Sequence, residues 1–169
     1  APYCSRNHEY YSEDAMLTNL LGQAVCKGGK SKGLMMMPKH YIMNHQELNR
    51  SGVSTFFTEQ AARENELRAF QGAMENNYAQ GIMTGFNQVQ VARNEWGFEG
   101  WIVTDMINGA DYMNWRDIVF GGGGGCLTTS AYESANIGSM TSTENLKLIA
   151  KDSAFQKKMK ETIKYFVYN

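Results

Sequence analysis

Apolar positions recur with helical spacing from Ser12 onward. Ser12-Glu13-Asp14 offers a capping residue and first-turn acids, and Leu17, Leu20, Leu21, Ala24 and Val25 follow at i, i+3, i+4, i+7 and i+8. The pattern predicts an amphipathic helix ending at Lys27-Gly28-Gly29. Leu34 to Pro38 is a short apolar run that predicts a fully buried strand, with the polar pair Lys39-His40 directly after it. From Thr58 to Tyr78, Leu67, Phe70 and Met74 share one helical face while Glu59, Arg63, Glu64 and Arg68 occupy the other. Ala79 to Phe86 predicts a strand, and so does Gly100 to Thr104, which is rich in β-branched and aromatic residues and ends on Asp105. Further helices are expected over Tyr112 to Phe120 and near Thr141-Ser142-Thr143-Glu144, which has the spacing of a capping box. Phe155, Met159, Ile163 and Phe166 mark one face of a C-terminal helix.

Helices that alternate with short, wholly apolar strands imply βα units around a parallel sheet, in a barrel or a doubly wound fold. In both, chemistry gathers at the C-terminal ends of the strands. Three predicted strand ends carry suitable side chains: Lys39-His40, Phe86-Asn87 and Asp105. The net charge is -1. No strong field of one sign is therefore available to draw nucleic acid or an anionic membrane, and a neutral substrate fits better. The longest apolar runs fall far short of the ~20 residues that span a bilayer. The three cysteines, Cys4, Cys26 and Cys126, are widely spaced and form no disulfide framework or zinc motif. Ala1-Pro2-Tyr3-Cys4 shows no basic region followed by an apolar stretch, so no secretion signal is visible and the compartment stays open.

Four stretches together resemble glycoside hydrolase family 3, in its β-glucosidase branch. Ser5 to Asp14 looks like the segment around a sugar-binding arginine. Lys39 to Arg50 is similar to the lysine-histidine loop, and Ala62 to Phe70 resembles the helix that follows it. Asn94 to Asp105 matches the strand that delivers the nucleophile. The resemblance implies a (β/α)8 TIM barrel and hydrolysis of a β-linked glycoside with retention. One carboxylate attacks the anomeric carbon, and a second carboxyl group ~5 Å away protonates the leaving oxygen and later activates water. It makes Asp105 the nucleophile, with a helix-capping role as the alternative. Arg6, Lys39 and His40 would bind the hydroxyls of the sugar, and Met83 and Phe86 would line its pocket. For His40 the alternative is a satisfied core histidine. Neither a metal nor a cofactor is called for.

The sequence also departs from the family. Phe86 stands where the family usually has tyrosine, and Met106 where it usually has tryptophan in the sugar pocket. The stretch between Asn87 and Asn94 is shorter than usual. A complete barrel takes ~250 residues, so 169 residues are expected to form a partial (β/α)8 TIM-barrel-like α/β domain with parallel strands. The expected division is residues 1–151 for that domain and 152–169 for a C-terminal helix, the start of a linker to a second domain. No residue here can be matched to the acid/base glutamate. A missing domain or a partner chain is expected to supply it, and the alternative is a non-catalytic remnant that binds sugar or assembles with a partner. His8 and His45 remain unassigned, and Glu47 with Arg50 is either a loop-internal ion pair or part of the site. Ala24 to Ser31 lacks the leading glycine and the preceding strand of a phosphate-binding loop.

Overall fold

The structure is a computed structural model that describes residues 4–48, 55–85, 90–106, 115–127 and 143–168. Helix α1 spans Ala15–Lys30 and begins where Asp14 accepts a hydrogen bond from the Leu17 backbone N–H at 2.6 Å. It ends with Lys27 and Lys30 in the last turn, where cations favour the helix dipole, and Gly33 then takes a φ of 78° to turn the chain. The second predicted helix is interrupted. A single turn, α2 (Glu59–Ala61), opens into a π-helical segment (Ala62–Leu67) before α3 (Arg68–Glu75). Within α3 the Gly72 N–H donates to Asn19 Oδ1 of α1 at 3.0 Å. Gly72 also permits the close approach of the two helices, because a Cβ there would stand 1.9 Å from Gln23 Nε2.

Among the described residues, three parallel strands form the sheet: β1 (Gly81–Thr84), β2 (Trp101–Met106) and β3 (Gly125–Leu127), in that order. Helix α4 (Gln90–Asn94) joins β1 to β2, and α5 (Trp115–Phe120) precedes β3. The predicted strand at Leu34 to Pro38 is instead an extended segment. Its Met36 and Pro38 carbonyls accept from Gly81 and Met83, and Tyr41 makes a single parallel bridge to Thr84. Pro38 lacks an N–H to donate, and Leu34 and Met35, which precede the first residue to meet β1, are 61% and 47% exposed instead of buried.

Alternation along the extended backbone decides what each side chain meets. Tyr41, Ile82 and Ile102 face the helices, in a core with Leu67, Met74 and Phe98. The Tyr41 ring meets Phe70 edge-on at 5.4 Å and Trp96 at 6.2 Å between centroids. Arg93 ties the loops together, because its guanidinium donates to the carbonyls of Phe98, Gly100 and Gly122 and lies 3.9 Å from the Tyr165 ring centroid. Burial holds its pKa down at about 10. Helices α6 (Thr143–Lys151) and α7 (Ser153–Val167) follow, and Asp152 caps α7 by accepting from the Phe155 N–H. Phe155 is fully buried and packs on Phe120 of α5, while Phe166 packs on Trp101 of β2.

Candidate active site

His40 and Asp105 lie on the sheet face opposite the helical core. Asp105 is one residue from the end of β2, and His40 precedes Tyr41 on the adjoining extended segment, so alternation turns both away from the helices. His40 Nε2 stands 3.4 Å from Asp105 Oδ2, and the two residues are only 4% and 8% exposed. Burial holds the His40 imidazole below the ordinary histidine pKa, and the nearby Asp105 charge opposes that shift only in part.

The other polar groups come from the first residues of the chain. A 3-10 turn over Asn7–Glu9 places Arg6 and Glu9 three residues apart on one side. Arg6 donates from Nε to Glu9 Oε1 at 2.7 Å and from Nη2 to Glu9 Oε2 at 2.9 Å, the two-pronged geometry that suits guanidinium and carboxylate. Arg6 Nη2 is also 3.4 Å from His40 Nε2. Lys39 Nζ reaches Glu9 Oε2 at 2.9 Å. The hydrogen bonds from Arg6, and after them those from Lys39, hold the Glu9 carboxyl down at about 2. Tyr10 Oη shares a 2.7 Å hydrogen bond with His40 Nδ1, and burial pushes the Tyr10 phenol up to about 12, so it keeps its proton.

Arg6, Lys39, His40 and Asp105 are thus one connected group. Met83 is half-buried in β1 and pairs with Val103, which puts it on the face that carries Asp105. Met106 is the last residue of β2, and Phe86 lies outside the described residues. So do Arg50, the tip of the expected Tyr112 to Phe120 helix and the start of the Thr141 capping box. Glu47 accepts from Asn44 Nδ2 at 2.9 Å and is 3.7 Å from Arg6 Nη1, which brings it to the rim of the group. His45 turns away to Glu66 at 3.1 Å, and His8 is exposed. A cleft of about 350 Å³, lined by Tyr10, Lys39, His40, Met43, Glu66 and Phe70, adjoins the group, but Asp105 is not part of its wall.

Sequence reasoning missed Glu9 and Tyr10, although both lie inside the Ser5 to Asp14 motif. The signal available was spacing: an acid three residues after an arginine meets it across one turn.

A parallel βα sheet with a buried carboxylate at a strand end, beside an imidazole and two cations, defines a partial (β/α) barrel with its polar groups at the C-terminal face. The chain belongs to the glycosyl hydrolase family 3, whose N terminal domain matches residues 1–117. β-Glucosidase A of Butyrivibrio fibrisolvens is 34% identical over 123 residues, which cover 62% of this chain and 14% of that protein. The probable β-glucosidase J of Emericella nidulans is 36% identical over 117 residues, 62% of this chain and 14% of its own length. Among solved structures, β-glucosidase 3B of Thermotoga neapolitana in complex with glucose superposes with a TM-score of 0.71 at 27% identity, covering 95% of this chain and 27% of that one. A β-glucosidase of Paenibacillus barengoltzii gives 0.74 at 27% identity, with 95% and 20% covered. The chain therefore spans only a seventh or so of the curated relatives it matches.

Proposed function

We propose that the chain forms part of a retaining hydrolase of β-D-glucosides in which Asp105 is the nucleophile. The observation that carries this reading is the placement of Asp105, buried at the end of β2 and 3.4 Å from His40, with Arg6 and Lys39 linked to the same group. The Asp105 carboxylate attacks the anomeric carbon as the bond to the leaving oxygen breaks, giving a covalent glucosyl-aspartate. Water then attacks the anomeric carbon and releases the carboxylate, and the two displacements together retain configuration. Arg6, Lys39 and His40 bind sugar hydroxyls, Met83 and Phe86 line the sugar pocket, and Met106 supplies an apolar surface next to the nucleophile. A carboxyl group outside this chain protonates the leaving oxygen and later takes the proton from water. The substrate is a small β-linked glycoside or oligosaccharide, and the second carboxyl comes from another domain or a partner.

Hydrolysis of an aryl β-glucoside by the purified chain, alongside Asp105→Ala, tests the reading. An activated aryl leaving group needs little acid assistance, so the first displacement proceeds without the second carboxyl. Aryl alcohol release is expected from the parent and none above background from the variant. Equal release from both, or none from the folded parent, would count against Asp105 as a working nucleophile.

A further inference from the structure

Two adjacent side chains with no role in the reaction above hold three of the groups assigned to it. Glu9 accepts from both Arg6 and Lys39, so one carboxylate sits between two cations that would otherwise repel each other. Tyr10 meets His40 at Nδ1, the ring nitrogen away from Asp105. The 3-10 turn brings them together, because Glu9 closes it towards Arg6 and Tyr10, in extended backbone just after it, turns under the imidazole.

We infer that Glu9 and Tyr10 are positioning residues for the sugar site: Glu9 sets the spacing and direction of the Arg6 and Lys39 donors, and Tyr10 fixes the tilt of the His40 ring through its hydrogen bond at Nδ1. The inference rests on the sugar-binding roles proposed for Arg6, Lys39 and His40. Neither residue needs to touch the substrate. A guanidinium gripped at Nε and Nη2 has lost its freedom to turn, and its remaining N–H groups point in one direction before sugar arrives. An imidazole hydrogen-bonded at Nδ1 is held at one ring angle, which sets the direction in which Nε2 points. Misplacing such groups by an ångström can cost up to ~100-fold.

Two substitutions of nearly unchanged size separate the roles. Tyr10→Phe removes one oxygen and Glu9→Gln removes the charge. The three histidines, His8, His40 and His45, are few enough to assign in nitrogen-15 spectra of the ring atoms. The parent is expected to show the His40 Nδ1 resonance displaced by its hydrogen bond to Tyr10, and Tyr10→Phe to lose that displacement, a change that loss of packing alone would not produce. An unchanged His40 Nδ1 resonance in Tyr10→Phe would overturn the role of Tyr10. Glucose titrated into the 169-residue chain serves as the binding probe. Glu9→Gln is expected to weaken glucose about tenfold, and Glu9→Asp, which keeps the charge but shortens the reach, to fall between Glu9→Gln and the parent. Unchanged affinity in both Glu9 variants would overturn the role of Glu9. Failure of the parent to bind glucose would contradict the sugar-site reading beneath the inference, while the Nδ1 resonance would still decide whether Tyr10 holds His40.

Discussion

His40 and Tyr41 are neighbours in the chain, yet the pleat sends them to opposite sides of the sheet, into regions held together by different forces. Tyr41 is wholly buried against Phe70, Trp96 and the apolar residues of α3 and β2. That side depends on the removal of apolar surface from water and on close packing, neither of which is sensitive to pH. His40 is almost as deeply buried, but its neighbours are Arg6, Tyr10 and Asp105. There the contacts are directional and charged, and the same burial depresses a pKa. One turn of the pleat thus separates the part of the sequence that packs the core from the part that holds the polar group.

The largest effect should come from the apolar side. Tyr41→Ala leaves a ring-sized cavity among residues fixed by two helices and two strands, and it should cost ~3–5 kcal/mol in urea unfolding. A loss below ~1 kcal/mol would mean that Tyr41 does not centre the core. The polar side should respond to acid instead. The folded-state pKa of His40 lies below the ordinary value of 6.5, so between those two values the unfolded chain binds more protons. Stability is therefore complete above 6.5 and falls as pH drops below it. The Glu9 carboxyl is depressed from 4.5 to about 2, so its contribution is present above 4.5 and lost as pH falls through about 2. His40→Gln should flatten the first part of the melting-temperature profile, just below pH 6.5, and leave the part below 4.5 intact. A profile unaltered by His40→Gln would place the acid response elsewhere.

The two regions were not equally legible in the sequence. Helix α1 could be read from its spacing and from the Ser12 to Asp14 start, but the apolar face that gave the period stays exposed at Leu17, Leu20, Leu21 and Val25, and the residues the helix buries are Asn19 and Cys26. Asp105 could be placed because a β-branched run ended on it. The extended segment before Lys39 misled: Leu34 to Pro38 is apolar enough for a buried strand, but an apolar run does not show which of its residues meet β1. The π-helical widening at Ala62–Leu67 leaves no mark in the apolar periodicity, which reads the same through α2 and α3. Resemblance supplied Arg6, Lys39 and His40. It did not supply Glu9 and Tyr10, whose roles depend on distances across 30 residues of chain.

The central claim is that Asp105 attacks the anomeric carbon, and the most direct measurement is the mass of the chain after incubation with an activated 2-deoxy-2-fluoro-β-glucoside. Fluorine at the 2-position disfavours the oxocarbenium-like transition state, and the reactive leaving group restores the first displacement but not the second, so the covalent intermediate accumulates. One added fluoroglucosyl group per chain is expected, located on the peptide that carries Asp105 and absent from Asp105→Ala. No adduct on the folded chain, or an adduct on another residue that persists in the variant, would contradict it.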